Sequence, residues 1–128
     1  MTFATIDFIT ETPETGEFAL ILVEDGPWPS EDSGWTECLS RIQNRIYDAI
    51  DIAIDGHLAA KYPDSKGRSV RVQIDSPCGL PPALDKLVNK IREHVENENE
   101  YHAAIKQSRF IQSFRITTGH EIGSFQTK

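Results

Sequence analysis

The apolar segment at residues 17–24, EFALILVE, constrains the fold more than any other part of the chain. Six consecutive apolar residues lie between its two glutamates, which is typical of a central β-strand that is covered on at least one face. The preceding segment 4–10, ATIDFIT, alternates in polarity and predicts a short half-buried strand. Residues 11–17, ETPETGE, contain Pro13 and Gly16 and predict a turn. We therefore predict a β-hairpin.

The spacing of the apolar residues changes after this hairpin. Between Trp35 and Ala60 they recur every three or four positions, which predicts an amphipathic helix. Ser33 or Thr36 is the predicted N-cap, because a hydroxyl oxygen accepts a hydrogen bond from the first helical turn. Gly56 lies where this helix is expected to end or bend.

The second half of the chain repeats this change of period. Residues 69–75, SVRVQID, predict a third strand with one face in solvent, the face of Arg71 and Gln73. Residues 82–96 predict a second amphipathic helix, with Pro at its first turn. Residues 109–116, RFIQSFRI, predict a fourth strand or an extended arm.

The order of these elements, β-β-α-β-α with a late β, predicts an α+β fold. We expect a mostly antiparallel sheet of three to four strands, with two long amphipathic helices packed on one face. Residues 1–96 are predicted to form a single α+β domain, and residues 97–128 an additional C-terminal segment with the extra strand or arm. A chain of 128 residues can bury a core of its own, and no cofactor is needed for this fold.

The net charge of −7 is unevenly distributed along the chain. Residues 1–40 contain nine acidic residues and no Lys or Arg, whereas residues 101–128 contain four basic residues and one acidic residue. An acidic surface attracts basic proteins and repels nucleic acid, so no nucleic-acid partner is expected. The N-terminal sequence does not read as a signal peptide and no apolar run is long enough to span a membrane, so we expect a cytoplasmic protein with no membrane partner.

The segment VEDGPWPSEDSGW, residues 23–35, combines acidic and aromatic side chains directly after the apolar strand. Trp28 is interpreted mainly as a structural cap on the end of the sheet. Trp35 is interpreted as an exposed anchor for a basic protein partner, with a rim of carboxylates. The predicted partner-binding residues are Glu24, Asp25, Trp28, Glu31, Asp32, Trp35 and Glu37.

Motifs for catalysis and metal binding are missing from the sequence. The four histidines lack the spacing of a helical metal site, and neither a phosphate-binding loop nor a nucleophile elbow occurs. We therefore predict no catalytic residues, no metal and no cofactor. Two alternatives stay open: a small ligand-binding domain or enzyme that uses Asp51 or Asp55 with His57, and a homodimer formed by strand addition through residues 109–116.

Four segments carry a resemblance to a known family: IDFITETPETGEFALILVEDGPW, AIDGHLAAKYP, GRSVRVQI and PPALDKL. Together they resemble an uncharacterised family of small bacterial ββαβα proteins, some of which are similar to immunity proteins of secreted polymorphic toxins. The resemblance covers residues 6–95, and the chain departs from the pattern after residue 96. It implies a non-enzymatic inhibitor that covers the active cleft of a cognate toxin, and it implies no catalytic residues.

Overall fold

A computed structural model describes residues 6–24, 28–77, 79–97 and 100–119, with the side chains of residues 100 and 101 excepted. The fold is α+β, as predicted, and a short 3-10 turn at Pro63–Ser65 lies between α2 and β3. The strands and helices are β1 (Phe8–Glu11), β2 (Phe18–Val23), α1 (Asp32–Ile54), α2 (His57–Lys61), β3 (Arg68–Asp75), α3 (Pro82–Glu96), α4 (Glu100–Gln107) and β4 (Ile111–Gly119).

The four strands form one mixed sheet in the order β1-β2-β3-β4. Strands β1 and β2 form the predicted antiparallel hairpin, but β2 pairs with β3 and β3 pairs with β4 in parallel. The prediction of a mostly antiparallel sheet is therefore wrong. The reason lies in the connections: a helical crossover carries the chain from the end of one strand back to the opposite end of the sheet, so the next strand runs in the same direction.

The hydrophobic core lies between the helices and one face of this sheet. Strands β2 and β3 contribute alternate side chains, among them Leu20 and Val72, and α1 and α3 contribute the apolar stripes expected from their periodicity. The fully buried members of these stripes include Ile46 and Ile50 of α1 and Leu84 of α3. The two long helices are thus held to the sheet by apolar burial, at about 25 cal/mol per Å².

The boundaries of α1 differ from the prediction at one end and agree at the other. The helix begins at Asp32, and Glu31 stands at its N-cap without a side-chain hydrogen bond, so the predicted caps are wrong. After α1, Gly56 adopts a left-handed φ of +92°, and α2 follows directly. A Cβ at Gly56 would lie 2.8 Å from the Phe110 ring, so glycine permits both the break and the close approach of the chain that leads into β4.

The segment after residue 97 contributes α4, which the sequence did not predict, and β4, which is a strand of the sheet. Arg68 pairs with Ile111 and Val70 pairs with Phe114. A step of two residues along β3 therefore corresponds to a step of three residues along β4. Such a bulge shifts the alternation of side chains along the strand. The first strand residue, Ile111, is consequently buried together with Ile116, five positions later.

The second face of β3 is not exposed to solvent, contrary to the prediction. Arg71 is only 2% exposed, and Gln73 and Asp75, which follow on the same face, are buried as well. Burying charged groups is unfavourable unless they are paired. On this face Arg71 forms an ion pair with Glu17, and Gln73 donates a hydrogen bond to Asp75.

Candidate functional site

Glu24, the first residue after β2, belongs to the interior. Its side chain is 5% exposed. It accepts hydrogen bonds from Arg41 Nη1 at 3.1 Å, Arg41 Nη2 at 3.0 Å and Arg45 Nη1 at 2.7 Å. The two arginines are one turn apart on α1, so both guanidinium groups reach the same carboxylate. The hydrogen bonds to Glu24 raise the pKa of Arg41. Glu24 is therefore a structural ion-pair residue and does not lie on a contact surface.

Arg45 extends this cluster to the hairpin. It donates to the backbone carbonyl of Val23 at 2.8 Å and forms an ion pair with Asp7. The same carboxylate oxygen of Asp7 accepts the backbone N–H of Val23 at 2.7 Å. The end of the hairpin and α1 are thus joined by charge-assisted hydrogen bonds, which are stronger than neutral ones.

A second ion-pair network lies on the opposite face of the sheet. Glu17 accepts hydrogen bonds from Arg71 Nη1 at 2.9 Å and from Nε and Nη2 of Arg115, each at 2.8 Å. The hydrogen bonds from Arg115 and the positive charges of both arginines hold the pKa of Glu17 below its ordinary value, against the opposing effect of burial. Further along β3, Gln73 Nε2 donates to Asp75 Oδ1 at 2.7 Å.

The expected negative surface is therefore smaller than the sequence suggested. Four acidic residues of the N-terminal third, Asp7, Glu11, Glu17 and Glu24, form ion pairs with arginines. The partners are all contributed by residues after position 40, because folding brings α1, β3 and β4 beside the hairpin. Of the carboxylates predicted to bind a partner, Glu24 is the one that the described ion pairs neutralise.

The two tryptophans form a stacked pair at the start of α1. Their ring centroids are 5.9 Å apart and the ring planes differ by 9°. Trp28 packs against the core, and its buried indole Nε1 has no hydrogen-bond partner in the described part of the chain. Trp35 is half-buried, so it is less exposed than the interpretation as a solvent-facing anchor requires.

Three exposed carboxylates lie close to this pair in the sequence. Glu31, Asp32 and Glu37 are exposed and take part in none of the ion pairs of the described residues. They lie at the N-terminal end of α1, where negative charge also stabilises the helix dipole. Asp25 lies outside the described residues. We name the following set the acidic–aromatic patch: Trp28, Glu31, Asp32, Trp35 and Glu37.

The residues of the alternative ligand-site interpretation lie at the C-terminal end of α1 and at the start of α2. Asp55 is exposed, and Asp51 and His57 are half-buried. Three surface grooves of about 240, 280 and 290 Å³ are lined by none of these side chains. Among the described residues, no group of three or more His, Cys, Asp or Glu is placed to hold a metal ion. The thiol of Cys38 is half-buried on α1, and Cys78 lies outside the described residues.

Two further observations bear on the class of protein. None of the helices in the described ranges combines the length and the apolar character that a membrane crossing requires. Comparison with protein-family models, with curated proteins and with solved structures finds no match to this chain.

Proposed function

We propose that this protein is a non-enzymatic binding protein that docks a basic protein partner at the acidic–aromatic patch. In its most specific form, the proposal is an immunity-type inhibitor that covers the active cleft of a cognate toxin. The observation that carries it is the stacked pair of Trp28 and Trp35, close in sequence to three exposed carboxylates that take part in none of the ion pairs of the described residues.

The patch has the composition of a protein-binding hot spot. Aromatic rings supply contact area at a low entropic cost, and the stacking of Trp28 on Trp35 restricts both rings before a partner arrives. The carboxylates of Glu31, Asp32 and Glu37 form an acidic rim, which favours a cationic partner and accelerates its approach. We expect this association to weaken as the salt concentration rises.

The internal ion pairs help to restrict recognition to this patch. Because Glu17 and Glu24 are neutralised by arginines, they contribute little to the local field that a partner meets. The net charge of the whole chain, −7, provides long-range attraction for a basic protein.

The test is affinity capture from cells of the native organism with three versions of the chain. The patch variant carries Glu31→Gln, Asp32→Asn and Glu37→Gln. The matched control carries the same chemical changes at three exposed carboxylates elsewhere: Glu14→Gln, Asp64→Asn and Glu93→Gln. We expect one basic protein to be retained by the wild type and the control and lost from the patch variant. The purified partner is then assayed for toxicity, which the wild type should abolish at a one-to-one ratio.

Thermal unfolding must accompany this comparison, because neutralising a carboxylate at the start of a helix costs about 0.3–1 kcal/mol by itself. The patch variant is expected to stay folded at the temperature of the capture experiment. If the folded patch variant retains the same partner as the wild type, the proposed site is wrong. If the retained protein has no activity that this chain inhibits, the immunity-type form of the proposal is wrong.

A further inference from the structure

A second surface with the opposite charge lies at the far edge of the sheet. A groove of about 280 Å³ runs between α3, α4 and β4. Val95, Ile105 and Phe114 give it an apolar floor, and each of them packs in or against the hydrophobic core. Arg92, His102 and Lys106 lie around it, and Glu96 contributes one carboxylate. The groove therefore combines an apolar floor with a basic rim.

Strand β4 presents backbone groups to this groove because it is the last strand of the sheet. The carbonyl of Ile116 points away from β3, since it accepts hydrogen bonds from Nε and Nη2 of Arg92 at 3.2 and 3.0 Å. Alternate residues of a strand direct their backbone groups to the same side, so Phe114 also directs its N–H and C=O outward. Apart from the ladder between β3 and β4, no hydrogen bond of these Phe114 groups occurs in the described part of the chain.

A second copy of this chain fits the edge poorly. The bulge at the start of β4 interrupts its regular edge. The carbonyl of Ile116 already accepts hydrogen bonds from Arg92. Both features oppose the addition of a long strand. The groove is lined by Arg92, Lys106 and Arg115 and by one carboxylate, that of Glu96, so two such edges would repel each other. Charge complementarity favours an acidic occupant.

We propose that this groove binds a short, extended, acidic segment of a partner protein. The segment forms main-chain hydrogen bonds with Phe114, places one apolar side chain on the floor next to Ile105, and directs a carboxylate to Lys106. Arg92 limits the pairing to a few residues, because it holds the next outward carbonyl. This site is independent of the acidic–aromatic patch, which lies at the start of α1 and carries the opposite charge.

The test begins with a selection of random eight-residue peptides, displayed on phage, against the full chain. We expect the selected peptides to combine acidic residues with one large apolar residue. The affinity of a selected peptide is then measured by fluorescence anisotropy. Lys106→Glu removes one attraction and adds one repulsion, so we expect binding to weaken about five- to tenfold. Lys86→Glu, the same change on the exposed side of α3, should leave the affinity unchanged.

Amide hydrogen exchange provides a second readout that does not depend on any substitution. On addition of the peptide, the Phe114 amide should become protected. The proposal is overturned if the selected peptides lack acidic residues, if Lys86→Glu weakens binding as much as Lys106→Glu, or if the Phe114 amide stays unprotected. It is also overturned if the chain dimerises with the Phe114 amide protected in the absence of peptide, since the occupant would then be a second copy.

Discussion

The substitution Glu17→Gln is expected to lower the free energy of unfolding by about 2–3 kcal/mol. The Glu17 side chain is 11% exposed and accepts three hydrogen bonds from Arg71 and Arg115. Breaking a buried ion pair costs about 3–5 kcal/mol, because a charge is left without its counter-charge. The expected loss is smaller here, since Arg115 is 51% exposed and can be rehydrated, and since the amide oxygen of glutamine still accepts a hydrogen bond.

The matched control is Glu11→Gln, which removes a carboxylate from an exposed ion pair. The carboxylate of Glu11 lies 3.3 Å from Arg68, and both side chains are largely accessible to solvent. Exposed pairs contribute little, so we expect a loss below about 0.5 kcal/mol. Both variants are measured by urea denaturation at pH 7, followed by tryptophan fluorescence. Equal losses for the two variants would refute the argument that burial makes the Glu17 network important.

The same network predicts an acid dependence of stability. The folded state holds the pKa of Glu17 below its ordinary value, so the unfolded chain binds a proton at Glu17 more readily than the folded protein does. The stabilisation by this carboxylate is therefore complete well above the unfolded pKa of about 4.3 and is lost as the pH falls through the lower folded pKa. We expect the difference in stability between the wild type and Glu17→Gln to shrink over that acidic range. A difference that is constant with pH would contradict the assignment.

Two further predictions concern the glycine break and the tryptophan pair. Gly56→Ala should lower the free energy of unfolding by about 1 kcal/mol more than Gly67→Ala, as measured by urea denaturation. Both glycines have a positive φ, but of the two only Gly56 would place its new Cβ against a ring, that of Phe110. Equal costs would show that the ring moves aside freely. Trp28→Ala should lower the melting temperature more than Trp35→Ala, because Trp28 packs against the core, and calorimetry on both variants would detect the reverse order.

Local patterns predicted the elements whose buried face repeats with a regular period. The hairpin and the helices α1 and α3 follow from periods of two and about 3.6, and Gly56 marks the break after α1. The helix α4 was missed, because it begins at Glu100, the last residue of the polar run ENENE at positions 96–100, and such a run has no apolar periodicity. The direction of the strand pairs was also missed, since it depends on the path of each connection and not on the residues of the strands.

The electrostatic arrangement depends on contacts that no local pattern contains. Glu17 and Arg115 are 98 positions apart in the sequence, and they meet because Ala19, Arg71 and Arg115 are aligned across three strands. Charge counts along the chain located the acidic third correctly but could not show which carboxylates folding would neutralise. The alternation of polar and apolar residues in β3 is visible in the sequence. The same alternation fits a polar face in solvent and a buried polar face with ion pairs, so it could not distinguish the two.

The attachment of Glu24 to α1 has a consequence for the kinetics of any association at the neighbouring tryptophans. Glu24 is held by two arginines of α1, and Trp28 packs against the core. A surface held in this way requires little ordering when it meets a partner, so its encounter complex can convert to the bound state with a small entropic penalty. Ionic strength should then act mainly on the association rate constant, and the residence time should depend mainly on the contact that the indole rings make.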